Sequence, residues 1–407
     1  MRIDQHRLQR DLEELGQIGY VEGRGVTRLA LTEEDLRGRQ WLIDRMKEAG
    51  MHVRVDAAAN VVGRLPASGE ASRVLAIGSH LDTVPQGGRF DGALGVLAGL
   101  ECARVLKENG VSLPWDLEVI NFTDEEGHHY AGTFGSRAMV GERMIEEMRR
   151  QKVEGVPTLT EDLNRVGLDP GRISDARRDP GEFRAYLELH VEQGNRMESG
   201  GIDLAAVTGI VGIYRYMVTV FGVANHAGTT PMASRSDALV AAAPVFHLLP
   251  EWARARTEGM VATIGQVTIE PGAVNIIPSH CRFSVELRSL QSDNMARIRD
   301  RLIEWLDEHV EADVQTVYEK DGVELDADLI EIISNAACAE GLNTVPLASG
   351  AGHDAQTFAP VVPTGMIFVP SRGGLSHCPD EYSEPEWVAN GAQVLLRTVL
   401  ELAAKDS

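Results

Sequence analysis

Histidines and carboxylates gather in a few short runs of this sequence, each following an apolar stretch. The first is Ser79-His80-Leu81-Asp82-Thr83-Val84, directly after Val74–Gly78. An imidazole at His80 can ligate a metal ion, and Asp82, two residues on, can orient the ring. The glycine-rich Gln86-Gly87-Gly88-Arg89-Phe90 then delivers Asp91, a carboxylate able to bridge two cations. The second run, Thr123-Asp124-Glu125-Glu126-Gly127, offers adjacent glutamates. On an irregular strand end these need not project oppositely, so one can bind metal while its neighbour serves as general base. His190 lies in Glu188-Leu189-His190-Val191-Glu192-Gln193-Gly194, and His377 closes Ser371-Arg372-Gly373-Gly374-Leu375-Ser376. Singly, each has an ordinary alternative, a satisfied surface histidine or a charged turn. Collectively, three histidines and two or three carboxylates at strand ends point to a dinuclear metal site. Imidazole and carboxylate donors without a thiolate cluster suit Zn²⁺, Mn²⁺, Co²⁺ or Ni²⁺. Cys378, beside His377, reads as a bystander.

The elements that must position these groups alternate between strand and helix. Leu8, Leu12 and Leu15 mark an amphipathic helix, and a second begins at the capping-box-like Thr32-Glu33-Glu34-Asp35 and stops at Gly50. Strands are expected at Met51–Asp56, Val74–Gly78, Asp116–Phe122, Ala185–Leu189 and Met366–Val369, with a buried helix over Gly92–Asn109. This is α/β texture, a sheet covered by helices with ligands outside the carboxyl ends of its strands. Residues 140–183 read as a charged peripheral excursion with helices. From Gly212 the order changes to strand Tyr214–Phe221, helix Asp237–Ala253, strands Val261–Ile269 and Arg282–Leu287, helix Asp293–Val310 and strand Gln315–Glu319. That order is the ferredoxin-like split βαβ arrangement. We therefore expect an α/β domain formed by residues 1–211 and 322–407, interrupted by a smaller α+β domain at 212–321.

The length of 407 residues makes two domains the default. Lys+Arg 39 against Asp+Glu 61 leaves a formal charge of −22, which argues against nucleic acid and anionic membranes as partners. Hydrophobic residues at 43% and charged residues at 25% are those of a globular chain, not a disordered one. No apolar run reaches transmembrane length, the charged N-terminus has no signal-peptide core, and the four cysteines form no CxxC pair. The expected location is cytoplasmic.

Together, His80-x-Asp82, Asp91-Gly92, Glu125-Glu126-Gly127, His190-x-Glu192-Gln193-Gly194 and Ser376-His377 resemble the aminoacylase/carboxypeptidase clan of dinuclear metallohydrolases. Four further runs are similar to its amidase, hydantoinase and carbamoylase family: Asn225–Met232, Gly272–Pro278, Glu286–Ser289 and Ser349–Ala355. That family includes N-carbamoyl-L-amino-acid hydrolases, allantoate amidohydrolases and β-ureidopropionases. The resemblance implies two divalent cations per subunit, Zn²⁺ foremost, with His80, Asp91, Glu126, His190 and His377 as ligands. Asp91 would bridge, His80 and His190 taking one metal and Glu126 and His377 the other. It implies Glu125 as general base, Asp82 as the residue orienting His80, and Asn275 and Arg288 as a clamp on the substrate carboxylate. Gln193 and His353 would line the pocket. The inserted domain would be a lid and a homodimer surface, carrying His226 into the opposite subunit's site to polarise the scissile carbonyl.

The implied reaction is metal-assisted hydrolysis of a linear amide or ureido bond, with an N-carbamoyl-L-amino acid as first choice of substrate. Allantoate or a β-ureido acid is the near alternative. A dimetal dipeptidase or N-acyl amino acid deacylase would use the same ligands, and a non-catalytic small-molecule binding protein is the reading from another class. Two departures bear on substrate. His128-His129-Tyr130 stands where the family pattern has a small residue, Arg and Phe, and Ile213-Tyr214-Arg215-Tyr216 keeps one Arg of the basic run of allantoate-specific relatives. The substrate is itself a small anion approaching a chain of charge −22, so attraction must be local.

Overall fold

The computed structural model describes residues 1–67, 69, 73–142, 144–255 and 259–406. The chain divides into two compact units, Met1–Thr208 with Leu325–Ser407, and Gly209–Glu324. The sheet of the larger unit runs in the order Leu204–Ile210, Thr364–Val369, Phe183–Val191, Val74–His80, Asp116–Phe122, Val61–Leu65, His52–Val55, with Thr344–Ser349 also paired to Leu204–Ile210. Its four central strands are mutually parallel and the flanking ones antiparallel. Those central strands are buried along almost their whole length because both faces are covered. Ala93–Glu108 packs on three of them, and Pro385–Asp406 lies against Ala93–Glu108 and Thr364–Val369.

Sequence patterning does not single out Val61–Leu65 or Leu204–Ile210, which become strands through their neighbours. The helix Glu33–Glu48 begins as expected, Thr32 accepting the N–H of Asp35, but the box is half made. The Asp35 carboxylate accepts the N–H of Leu31 at 2.8 Å and pairs with Arg39 instead of reaching back to Thr32. The 140–183 segment forms short helices at Ile145–Arg149 and Leu159–Arg165. Met144, Met148, Leu159 and Leu163 join Tyr130 and Phe134 in a separate apolar cluster.

In the smaller unit, strands alternate buried and open positions as a one-sided sheet requires. Tyr216, Val218, Phe283 and Val285 face Val245, Leu249, Ile298 and Leu302 of the helices Ala238–Arg254 and Ser292–His309. The expected strand Val261–Ile269 is two strands, Val261–Thr263 and Val267–Glu270, both paired with His280–Ser289. The element order and the all-antiparallel strand order are those of a ferredoxin-like α+β unit.

One buried cation fixes the first ligand-bearing loop. Arg28 is fully buried, and its guanidinium donates to the carbonyls of Leu81 (2.7 Å), Leu15 (3.1 Å) and Ile18 (2.9 Å), while its N–H reaches Thr83 Oγ1 at 2.9 Å. Burial pushes this guanidinium down to about 10. Replacing it with methionine leaves three carbonyls without their donor, and we expect Arg28→Met to lower the unfolding free energy by about 3 kcal/mol. A shifted urea midpoint at unchanged slope is the measurement that checks this.

Candidate metal centre

The four parallel strands end on one side of the sheet, and each end contributes a group. His80 is the last residue of its strand and His190 the penultimate residue of another. Glu125 and Glu126 follow Phe122, and His377 follows Val369 at the end of a loop. Asp91 comes from the loop before Ala93–Glu108. Its Oδ1 lies 3.5 Å from His80 Nε2 and 3.2 Å from His190 Nε2; its Oδ2 lies 3.3 Å from His377 Nε2. Glu126 Oε2 is 3.4 Å from His377 Nε2, and Glu125 Oε2 is 3.6 Å from His80 Nε2. Asp91 thus joins two donor groups, His80 with His190 and Glu126 with His377. Asp124, Gln193 and His377 hold left-handed backbone conformations (φ 54°, 59° and 55°), a concentration of strain beside the strand ends.

These donors fit a divalent cation. His80 Nδ1 faces the carbonyl of Asp82 at 2.9 Å and His190 Nδ1 that of Val191 at 2.8 Å. A carbonyl only accepts, so Nδ1 carries a proton in each ring and Nε2 is the atom turned toward Asp91. His190 Nε2 also accepts the N–H of Gly92 at 3.2 Å. Two Nε2 atoms turned on one carboxylate oxygen call for positive charge between them, supplied by ring protons or by a cation. Tetrahedral ligands about 2.05 Å from zinc stand about 3.3 Å apart, close to the separations here. The electrostatics agree. Burial pushes Glu125 and Glu126 well above the usual carboxylate range, and the neighbouring carboxylates add to it. Burial also opposes charge on His80 and Asp91. Glu125, Asp91 and Asp82 outweigh it and hold His80 well above its ordinary value, and the three histidines hold Asp91 well below its own.

Around the donors, several residues differ from expectation. The carbonyl of Asp82, not its carboxylate, orients His80; the carboxylate lies 3.9 Å from Nδ1. It instead accepts the N–H groups of Glu125 and Glu126 at 3.3 and 3.2 Å, shaping the turn that carries both. Gln193, expected in the pocket wall, donates to Asp91 Oδ2 at 2.7 Å and stands 3.2 Å from His377 Nε2. His353 is buried, its Nε2 2.8 Å from Ser349 Oγ and its ring packed edge-on against His190. Burial and the His190 charge hold it well below the ordinary histidine value, so its ring is neutral. Sequence reasoning passed over Glu381, which is buried four residues after His377 and accepts the N–H groups of Phe90 and Asp91. Nothing in local periodicity marks it.

The chain matches the description Peptidase family M20/M25/M40 over residues 76–401. It is 40% identical to an N-carbamoyl-L-amino acid amidohydrolase of Geobacillus stearothermophilus, across 98% of this chain and 99% of that one. An allantoate amidohydrolase of Bacillus subtilis is 33% identical over 96% of each. This chain belongs to the M20/M25/M40 peptidase family. The crystal structure of a hydantoinase/carbamoylase family amidase from Burkholderia multivorans superposes with a TM-score of 0.88 at 34% identity, covering 99% of this chain and 98% of that one. The chain is therefore a hydrolase of the M20/M25/M40 fold, and its His, Asp and Glu clusters are compatible with divalent metal binding.

In the smaller unit of this M20 hydrolase, His226 and Asn275 belong to one paired stretch. His226 bridges to Ile276, and Ala227 N–H donates to the Asn275 carbonyl at 2.9 Å. His226 is exposed, and its Nδ1 accepts the N–H groups of Gly228 and Thr229 at 3.0 and 3.2 Å. Its ring proton is therefore on Nε2, which points outward as a donor. Arg288 is on the open face of His280–Ser289, its Nε on Glu286 at 2.7 Å. Glu286 also receives Arg215 Nε at 2.5 Å.

Gly92 lies hard against the centre. Its φ is 64°, and a Cβ there would stand 2.4 Å from the His80 ring. We expect Gly92→Ala to displace that ring and cut metal affinity about 10–100-fold, read by competition against a chelating dye.

Proposed function

We propose that this hydrolase converts N-carbamoyl-L-amino acids to the free amino acid, carbon dioxide and ammonia, using two divalent cations per subunit. Zn²⁺ is the first choice, with Mn²⁺, Co²⁺ and Ni²⁺ compatible with the same imidazole and carboxylate donors. The observation that carries the reading is Asp91, whose two oxygens face different donor groups, His80 with His190 on one side and His377 with Glu126 nearby on the other. Held by His80, His190, Asp91, Glu126 and His377, such cations would supply Lewis acidity toward a carbonyl and a water. Glu125 accepts a proton from the attacking water and passes one to the departing nitrogen. Arg288 and Asn275 hold the substrate carboxylate, the guanidinium by a forked pair of hydrogen bonds. His353, neutral and buried beside His190, and Gln193 border the substrate space.

His226 donates from Nε2 to the oxygen on which negative charge develops, which favours the transition state over the ground state. The fixed Nδ1 acceptor role of its ring supports this assignment. We assign it to the active site of the partner subunit in a homodimer. The exposed apolar side chains of Val223, Met232 and Val274, close in sequence to His226 and Asn275, support a partner-covered surface. Among the described residues no helix is long and apolar enough to cross a membrane, and a cytoplasmic location is part of the proposal.

The substrate assignment rests on the Geobacillus stearothermophilus relative, which is named for this activity. The Bacillus subtilis relative makes allantoate the second reading. Ammonia release from N-carbamoyl amino acids, allantoate and β-ureido acids, read beside amino-acid release from dipeptides, separates these, and turnover of the dipeptides alone would overturn the proposal. Removing the metal should abolish activity, and divalent metal should restore it. Glu125→Gln should lower kcat about 10²–10⁴-fold with metal content unchanged.

The trans assignment has its own test. Neither Glu125→Gln nor His226→Ala should be active alone. Coexpressed, they should recover about a quarter of the wild-type rate, because each mixed dimer holds one intact site and half the dimers are mixed. No recovery would place His226 in its own subunit's site.

A further inference from the structure

Glu381 holds the loop that presents Asp91. The carboxylate is buried at 4% exposure, and both its oxygens are used. Oε1 accepts the backbone N–H of Phe90 at 2.9 Å and of Asp91 at 3.1 Å. Oε2 lies 2.8 Å from Ser376 Oγ, which is itself 2.9 Å from Asp91 Oδ2. The carboxylate therefore grips the Asp91 backbone directly, and the Ser376 hydroxyl, with one proton to give, stands between Glu381 Oε2 and Asp91 Oδ2. Ser376 adjoins His377, so the same group ties the loop carrying one ligand to the loop carrying another.

The glycine run gains a second meaning from this contact. A Cβ on Gly88 would lie 2.0 Å from Glu381 Oε1 and 2.2 Å from Cδ, so the Gln86–Phe90 loop is shaped around that carboxylate. Phe90 also packs edge-on against Tyr382, ring centroids 5.5 Å apart, anchoring the same two segments on their apolar side. A buried carboxylate placed to satisfy two backbone donors loses little on becoming an amide, since Oε1 still accepts and the new NH₂ can donate to Ser376. Removal of the whole group orphans two buried N–H groups and frees the Asp91 side chain.

We propose that Glu381 is a positioning residue for Asp91, setting metal affinity by clamping the loop from outside the ligand set. This rests on the reading of Asp91 as a ligand. The experiment is zinc affinity by competition against a chelating dye on the full-length protein, with the thermal midpoint of the metal-free form measured alongside. If the wild-type chain takes up no zinc, the ligand reading itself fails. Given wild-type uptake, Glu381→Ala should weaken zinc binding about 10–100-fold, and Glu381→Gln should stay within about threefold of wild type. Ser376→Ala, a milder change on a half-open loop, should weaken it about threefold to tenfold, one hydrogen bond's worth, and serves if Glu381→Ala does not fold. A purely structural role would lower the metal-free midpoint and leave affinity alone. Unchanged zinc affinity in Glu381→Ala, in Ser376→Ala if the former does not fold, or a Glu381→Gln loss as large as that of Glu381→Ala, overturns the proposal.

Discussion

A carboxylate buried among three imidazoles is stable only if every approach to it is fixed. Asp91 is that carboxylate, and the larger unit is organised around keeping its two oxygens on different neighbours. Oδ1 faces His80 and His190, from adjacent parallel strands; Oδ2 faces His377, Gln193 and Ser376, from loops. Only a parallel arrangement brings the carboxyl ends of several strands to one edge, so the sheet topology and the donor set are a single requirement. Glycines at 88 and 92 permit the approach, one admitting the Glu381 carboxylate and the other the His80 ring.

The polar groups behind the donors are as specific as the donors. Backbone carbonyls at Asp82 and Val191 set the imidazole tautomers. The Asp82 carboxylate, freed from the histidine, holds the backbone of the Glu125–Glu126 turn. Arg28 anchors Leu81 between His80 and Asp82. The overall charge of −22 is compatible with a small anionic substrate where cations at these donors would supply the attraction locally.

Much of this was legible in the sequence because it is local. The candidate donor residues sit in short runs at strand ends, the two α/β segments and the inserted α+β order follow from periodicity and turn residues, and Thr32 reads as a helix cap. Strands such as Val61–Leu65 escaped because a Gly-Arg pair interrupts their alternation and only Asp116–Phe122 and His52–Val55 make them strands. The expected strand Val261–Ile269 divides because both pieces must follow one long partner, a register set by His280–Ser289.

The sequence by itself determined which residue types are available and on which turns they stand: three histidines, Asp91, and the paired glutamates. Tertiary structure decided which atom of each residue is used. Asp82 works through its carbonyl toward His80 and through its carboxylate toward a strand end 43 residues away. Glu381 reaches Asp91 from 290 residues further on. The physical reason is that hydrogen bonds are short and directional, whereas residue spacing along a chain says nothing about atoms joined only after the sheet has closed.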